Sequence, residues 1–501
     1  MANTFLNTMK AAQNYKLTEN GAVSYASTLN GVMDMFALGG AYRKRSDSDV
    51  WVLFRRAWNE NRDLAMKCLF YLRDCRGGQG ERRFFRVVLN HMMNGGSEYR
   101  SAISAVLPLV AEYGRWDDLI YAAYDTFYFP DAMKIVKEQL QKDLQGLTKP
   151  NEGISLLGKW LPSENASSHT TTLMGGAVRQ ALGLSHKQYR KVLSNLRARI
   201  NVLERLMSAQ RWDEIHFDAI PSKAGLKYRN AFAHNEFLAA RYEAFMKSKE
   251  TKVNAGVLNP VDIAHQIFNS GWNGADQTAR NAWQKYWDCL PDYYNGRQEN
   301  GICVVDVSGS MSGTPMEAAV SLGAYIADKA DGPFKNHFIT FSNDPHLVEF
   351  EGVDIYDKFM RARRADWGGS TNIEATMDLI LNTCKRARCK MPDRLYIFTD
   401  MEFNSACGGY SYRYNHNYRA LEPETLFEGI ERKFNAAGYK MPQVVFWNLD
   451  ARQDTIPAIG GRYSYVSGFN PNMIECILSG KTGWDLCLEK LLSERYKAVH
   501  A

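Results

Sequence analysis

Ile302-Cys303-Val304-Val305-Asp306-Val307-Ser308-Gly309-Ser310 runs from a short apolar stretch into a Gly/Ser loop bearing one carboxylate and two hydroxyls. Such a run, closed at once by small polar residues, reads as a buried strand ending at a sheet edge. A helical pattern follows over 316–329. Further apolar runs end at Phe341, Thr399 and Leu449, and another lies at 463–466. Helical patterns at 372–388, 423–437 and 484–498 separate most of them. This alternation predicts a doubly wound α/β domain, Rossmann-like in layout, with a mainly parallel sheet. The segment 291–300 is rich in Tyr, Asn, Gly and Pro and sets the expected boundary, giving domains 1–297 and 298–501.

In such a sheet, ligands bind beyond the carboxyl ends of the strands, where strand order reverses. The first strand is expected to sit at that reversal. Asp306, Ser308 and Ser310 therefore offer hard oxygens at alternate positions of one loop. Gly368-Gly369-Ser370-Thr371-Asn372 opens a helix and adds the Thr371 hydroxyl, and Phe398-Thr399-Asp400 ends a strand and adds a carboxylate. Five oxygens from three loops suit Mg²⁺ first, then Ca²⁺ or Mn²⁺, and do not suit zinc. A sixth position falls to water or to an acidic group of a partner. His337 and His346 lie on or after the second expected strand, so neither serine has a positioned base and no enzymatic activity is expected. The stretch 405–419 holds Tyr410, Tyr412, Arg413 and Tyr414, which suit partner contact beside the metal edge.

Residues 1–297 read as helix after helix, an all-α repeat arrangement of HEAT-like type. Leu64, Cys68, Leu69 and Leu72 recur at helical spacing, as do Phe84, Phe85, Val88, Leu89 and Met92, and Met133, Val136, Leu140 and Leu144. Arg115-Trp116-Asp117-Asp118-Leu119 is echoed by Arg211-Trp212-Asp213-Glu214-Ile215. Each copy should place its acidic pair in the first turn of a helix, with the Trp anchoring that turn in the core. A helix is expected over 185–210. It would gather Val192, Leu193, Leu196, Ile200, Leu203 and Met207 on one face, with Lys187, Arg190, Lys191, Arg197 and Arg205 opposite. That basic face suits a phosphate backbone, although an ordinary solvated helix presents the same pattern. The loop Arg76-Gly77-Gly78-Gln79-Gly80-Glu81-Arg82 lacks the Gly-Lys-Ser/Thr ending of a nucleotide-binding P-loop, and a tight turn between helices explains its glycines.

The net charge of +6 is unevenly divided. Residues 1–300 carry 39 Lys+Arg against 30 Asp+Glu, and residues 301–501 carry 22 against 25. A basic surface attracts polyanions. Nine cysteines, with Cys384 and Cys389 the nearest pair, read as reduced thiols and leave no four-ligand zinc set. No run of eighteen apolar residues is present and the amino terminus is polar, so no membrane span and a cytoplasmic location are expected.

The oxygen donors resemble the metal-ion-dependent adhesion site (MIDAS) of the von Willebrand A family: Asp-x-Ser-x-Ser, then Thr, then Asp, on these elements. The resemblance implies that Asp306, Ser308, Ser310 and Thr371 approach the ion directly or through water, and that Asp400 commonly acts through water. A basic helical part ahead of an A domain is similar to the Ro autoantigen and its bacterial relatives, which carry a TROVE module. The strings at 76–82, Gly-Arg-Trp-Asp-Asp at 114–118, Lys-Trp-Leu-Pro-Ser at 159–163, Tyr-Arg-Lys at 189–191, Ile-Pro-Ser-Lys-Ala at 220–224 and Val-Phe-Trp-Asn-Leu at 445–449 most closely resemble a Ro-like family with a carboxyl-terminal A domain. In the Ro proteins the helices close into a ring that takes single-stranded RNA ends, with structured RNA on the basic outer face. The resemblance therefore implies a ribonucleoprotein component that binds RNA, with the metal site available to a protein partner. The competing expectations are a metal-dependent protein-interaction scaffold, or a viral assembly or structural protein, without RNA binding.

Overall fold

A computed structural model describes residues 9–10, 13–149, 152–270, 274–341, 344–364, 371–405 and 425–501. The chain forms two compact units, each discontinuous in sequence: Met1–Cys68 with Ala255–Glu494, and Leu69–Asn254 with Arg495–Ala501. The expected division at 297/298 falls inside the first unit.

The first unit is built on a six-stranded sheet. Its strands are β3 (Gly301–Val305), β4 (His337–Thr340), β5 (Leu347–Glu349), β6 (Arg394–Thr399), β7 (Gln443–Asn448) and β8 (Tyr463–Ser467), in the order β5-β4-β3-β6-β7-β8. All pairs are parallel except β4 with β5. β3 is buried along its whole length, and the chain leaves it to β4 on one side and returns to β6 on the other. The reversal thus lies between the carboxyl ends of β3 and β6, as the alternating pattern predicted. β5 escaped sequence reading because a three-residue edge strand with two exposed residues carries no apolar run.

The all-α expectation for 1–297 needs correction. β1 (Tyr15–Leu17) and β2 (Val23–Tyr25) form an antiparallel hairpin in the first unit. The helix Gly31–Leu38 runs against β8, where the Ser467 hydroxyl donates to the Phe36 carbonyl at 2.9 Å and accepts from the Gly40 amide at 2.9 Å. A Cβ on Gly40 would sit 2.6 Å from the Ser467 carbonyl oxygen, so only glycine allows this approach. The helix Gln277–Asp288 also belongs here. Trp283 stacks on Tyr356, and the Trp287 indole donates to Asp328 at 2.9 Å.

In the second unit every described element is helical. The helix Arg82–Asn94 buries Phe84, Phe85, Val88, Leu89 and Met92, the stripe that its spacing predicts. In Phe129–Gly146, Met133, Val136 and Leu140 are buried but Leu144 is exposed. The Gly-rich loop is a tight turn. Its Gly78 and Gly80 amides donate to Asp74 O, Gln79 to Tyr71 O and Glu81 to Leu72 O. A Cβ on Gly78 would lie 1.9 Å from Tyr71 O. Asp74, fully buried, accepts from the Arg76 amide, from Arg495 at 2.8 and 3.0 Å and from the Tyr496 hydroxyl.

The expected helix over 185–210 is two helices, His186–Arg199 and Leu203–Ser208, separated at Asn201 with φ +47°. Ser185 and Gln188 form a capping box at the first start. The echoed string also diverges. Trp116–Ala123 is a helix with Asp117 and Asp118 in its first turn, whereas Trp212–Glu214 is a single 3-10 turn. Both tryptophans are half-buried rather than core anchors. Cys68, Cys303, Cys384 and Cys487 are buried, Cys389 is exposed, and no disulfide occurs among the described residues. No helix among them is long and apolar enough to cross a membrane.

Candidate metal centre

β3 and β6 end side by side, and each delivers an aspartate to the switch point. The Asp306 carboxylate accepts from the Ser308 amide at 2.9 Å through one oxygen and from the Thr399 hydroxyl at 2.6 Å through the other. The Ser308 and Ser310 hydroxyls are 3.0 Å apart. Asp400 accepts from the Glu402 amide at 3.2 Å through Oδ1, while its Oδ2 is buried without a hydrogen-bond partner. Met401, between them, takes φ +69°, which turns the chain sharply after β6. Both aspartates are completely buried.

Neither carboxylate forms an ion pair among the described residues. Burial pushes the Asp306 carboxyl up to about 7, and the negative charge of Asp400 adds to the effect. Burial also raises Asp400, against a lowering contribution from Ser310. Buried charges are ordinarily paired or bound to metal. Two sealed carboxylates, one oxygen without a partner and two serine hydroxyls are a fitting donor set for a small hard cation. Among the described residues no cluster of three or more His, Cys, Asp or Glu is placed to hold a metal. The oxygen set here is a different one, half of it hydroxyl.

Thr371 reaches the same sheet end in another way. Its hydroxyl lies 3.0 Å from the Glu402 carbonyl and 2.8 Å from Asn404 Oδ1, and it accepts from Asn20 Nδ2 at 3.2 Å. It bonds to the loop that follows Asp400 and makes no hydrogen bond with either aspartate or serine. Asn20, between β1 and β2, also donates to Glu402 O at 2.5 Å. Glu402 accepts from the Glu19 amide at 2.6 Å and from the Thr455 hydroxyl at 3.1 Å, and burial raises its carboxyl. Asn20, Thr399, Glu402 and Asn404 thus hold the site together, and sequence reading assigned them no role. The alternating polar positions of Thr399-Asp400-Met401-Glu402-Phe403-Asn404 were the available signal.

The expected basic face is only partly assembled. Lys187, Arg190 and Lys191 are exposed on His186–Arg199, and Arg205 is exposed on the next helix. Arg197 turns inward and donates to Gly158 O at 2.9 Å, Ser163 Oγ at 3.0 Å and Leu161 O at 3.0 Å. Burial lowers its pKa, and it serves the 158–163 segment rather than solvent. Tyr410, Tyr412, Arg413 and Tyr414 lie outside the described residues.

Family models described as domains of unknown function match this chain, DUF7788 over residues 300–495 and DUF2828 over residues 18–94 and 123–290. The chain is also 33% identical, over 509 aligned residues, to "Uncharacterized protein L728" of Acanthamoeba polyphaga mimivirus, an alignment covering 93% of this chain and 85% of that protein.

Proposed function

This chain belongs to the family of the mimivirus protein L728, and on that premise we propose a non-enzymatic, cytoplasmic RNA-binding protein with a von Willebrand A-type domain that holds one divalent cation. The observation that carries this reading is the pair of sealed aspartates at the switch point, with Asp400 Oδ2 left without a partner. Asp306, Ser308, Ser310 and Asp400 would hold the ion, and Thr371 would steady the neighbouring loop. Bound there, Mg²⁺, or Ca²⁺ or Mn²⁺ in its place, supplies a hard electrophilic centre able to take an anionic oxygen. Gly309 is exposed and Ser310 half-exposed, so an acidic side chain of a protein partner would approach from the serine side.

RNA is the polyanion proposed for the helical repeats, arranged as in Ro-like ribonucleoproteins. Lys187 and Lys191 support this, because both are exposed and neither has an acidic partner among the described residues. The test is single-stranded RNA binding by the full chain carrying Lys187→Glu, Arg190→Glu and Lys191→Glu. Weaker binding and a shallower dependence on salt are expected. Unchanged affinity would exclude this face.

A further inference from the structure

A cavity of about 260 Å³ opens in the helical unit beside two of the strings singled out above, Arg115–Asp118 and Lys159–Ser163. Trp160, Lys159, Tyr121, Thr171 and the acidic Asp117 line it, and Arg197 braces its wall. The Arg115 guanidinium lies over the Trp160 ring, 4.4 Å from its centroid, with the Lys159 ammonium 5.4 Å from the same ring. Tyr121 is 37% exposed and carries Arg86 against its ring at 4.3 Å.

The charge balance here is cationic. Asp118 is bound by Arg73 and Arg86, each at 2.6 Å, and Asp117 by Arg86 at 2.8 Å. Arg73 and Arg86 thereby match the two carboxylates in number, although Asp117 lines the cavity and keeps its Oδ1 buried without a hydrogen-bond partner; Lys159 and Arg197 on the lining, with Arg115 over the Trp160 ring, leave the surroundings net positive. A ligand that is both flat and anionic satisfies both features. The volume lies below the roughly 300–1,000 Å³ of clefts that bury drug-sized molecules, so it admits one ring system and its immediate attachments.

We propose that this cavity is a single-nucleotide pocket, in which a base packs against Trp160 and the attached phosphate meets Lys159. The nucleotide is either a free nucleoside monophosphate or one unit of an RNA strand, and only the latter rests on the RNA-binding reading above. Stacking on an aromatic side chain is tolerant of base identity, so little discrimination among the four bases is expected.

The experiment is calorimetric titration of the full chain with AMP, GMP, CMP and UMP at low salt, alongside binding of a ten-nucleotide oligouridylate. Binding of monophosphates is expected. Trp160→Ala should weaken it by about fivefold or more, and Trp160→Phe should retain most of it. Lys159→Glu should also weaken it, and this half-exposed position guards against a Trp160 variant that fails to fold. Absence of monophosphate binding, or binding indifferent to both Trp160→Ala and Lys159→Glu, overturns the pocket. Monophosphate binding without oligonucleotide binding supports a free-nucleotide site and sinks the RNA reading. Oligonucleotide binding with no monophosphate binding does the reverse. Binding of O-phosphotyrosine in place of every nucleotide would also overturn the proposal.

Discussion

The Thr399 hydroxyl donates to Asp306 across 2.6 Å, tying the end of β6 to the first residue beyond β3. Both residues are completely buried, and Thr399 also accepts from the Met401 amide at 3.2 Å. One hydroxyl therefore orients the Asp306 carboxylate and the turn that presents Asp400. Thr399→Val keeps the shape and removes the donor. Loss of a buried hydrogen bond to a charged group costs about 1.5–3 kcal/mol. Urea unfolding of the variant should show a loss in that range, together with weaker cation affinity.

Asp400→Asn should separate stability from binding. In metal-free protein the two carboxylates repel in a buried setting, so removing one charge is expected to stabilise by about 0.5–2 kcal/mol. The same change should abolish the response to Mg²⁺. With Mg²⁺ at one hundred times its dissociation constant, the wild type should gain about 2.7 kcal/mol. Thermal melts with chelator and with Mg²⁺ distinguish the two effects.

Asn20→Ala tests the strap formed by the loop between β1 and β2. It removes the donors to Thr371 and to the Glu402 carbonyl without touching an oxygen of Asp306, Ser308, Ser310 or Asp400. Groups that orient metal ligands typically matter by about 10–100-fold in affinity. A tenfold weaker cation affinity with a nearly unchanged melting temperature is expected. Unaltered affinity would mean that the strap has no influence on the site.

Asp74 sets an acid limit on the helical unit. Burial alone would raise its carboxyl, but Arg495 and the Arg76 and Gly77 amides more than offset that and hold it below the ordinary carboxylate range. A depressed folded value stabilises above the unfolded value of about 3.9, and the contribution disappears as pH falls through the folded value. Stability measured from pH 6 downward should drop below about pH 4. Asp74→Asn should flatten part of that drop and lower stability at pH 7 by about 1.5–3 kcal/mol.

Arg197 and Lys187 should behave oppositely. Arg197→Ala strips three hydrogen bonds from the 158–163 segment and is expected to destabilise by about 1–3 kcal/mol. Lys187→Glu should leave stability within about 0.5 kcal/mol and change only the affinity for RNA. Denaturant midpoints and filter binding on the same preparations decide between the two roles.

The parts that sequence made readable are those written in local pattern. Apolar runs ending in Asp306 and Asp400 located the strands, and two parallel strands flanking a reversal necessarily bring those aspartates together. The Thr371 hydroxyl bonds were not legible, since Asn20 lies 351 residues away and no periodicity records such a contact. The break at Asn201 rests on one left-handed residue, which asparagine adopts more readily than most. Arg197 was misread although the signal existed. It stands four residues after the buried Leu193, on the face that turns inward. The helices before Gly301 showed their apolar stripes, but stripes alone do not say which core they enter.

The most direct test is calorimetric titration of chelator-treated full-length protein with Mn²⁺ and Mg²⁺. One equivalent should bind to wild type, and Asp306→Ala, Asp400→Asn and Ser310→Ala should each lose or severely weaken it while retaining helical circular dichroism. No saturable binding by wild type, or equal binding by all three folded variants, would contradict a cation held between the ends of β3 and β6.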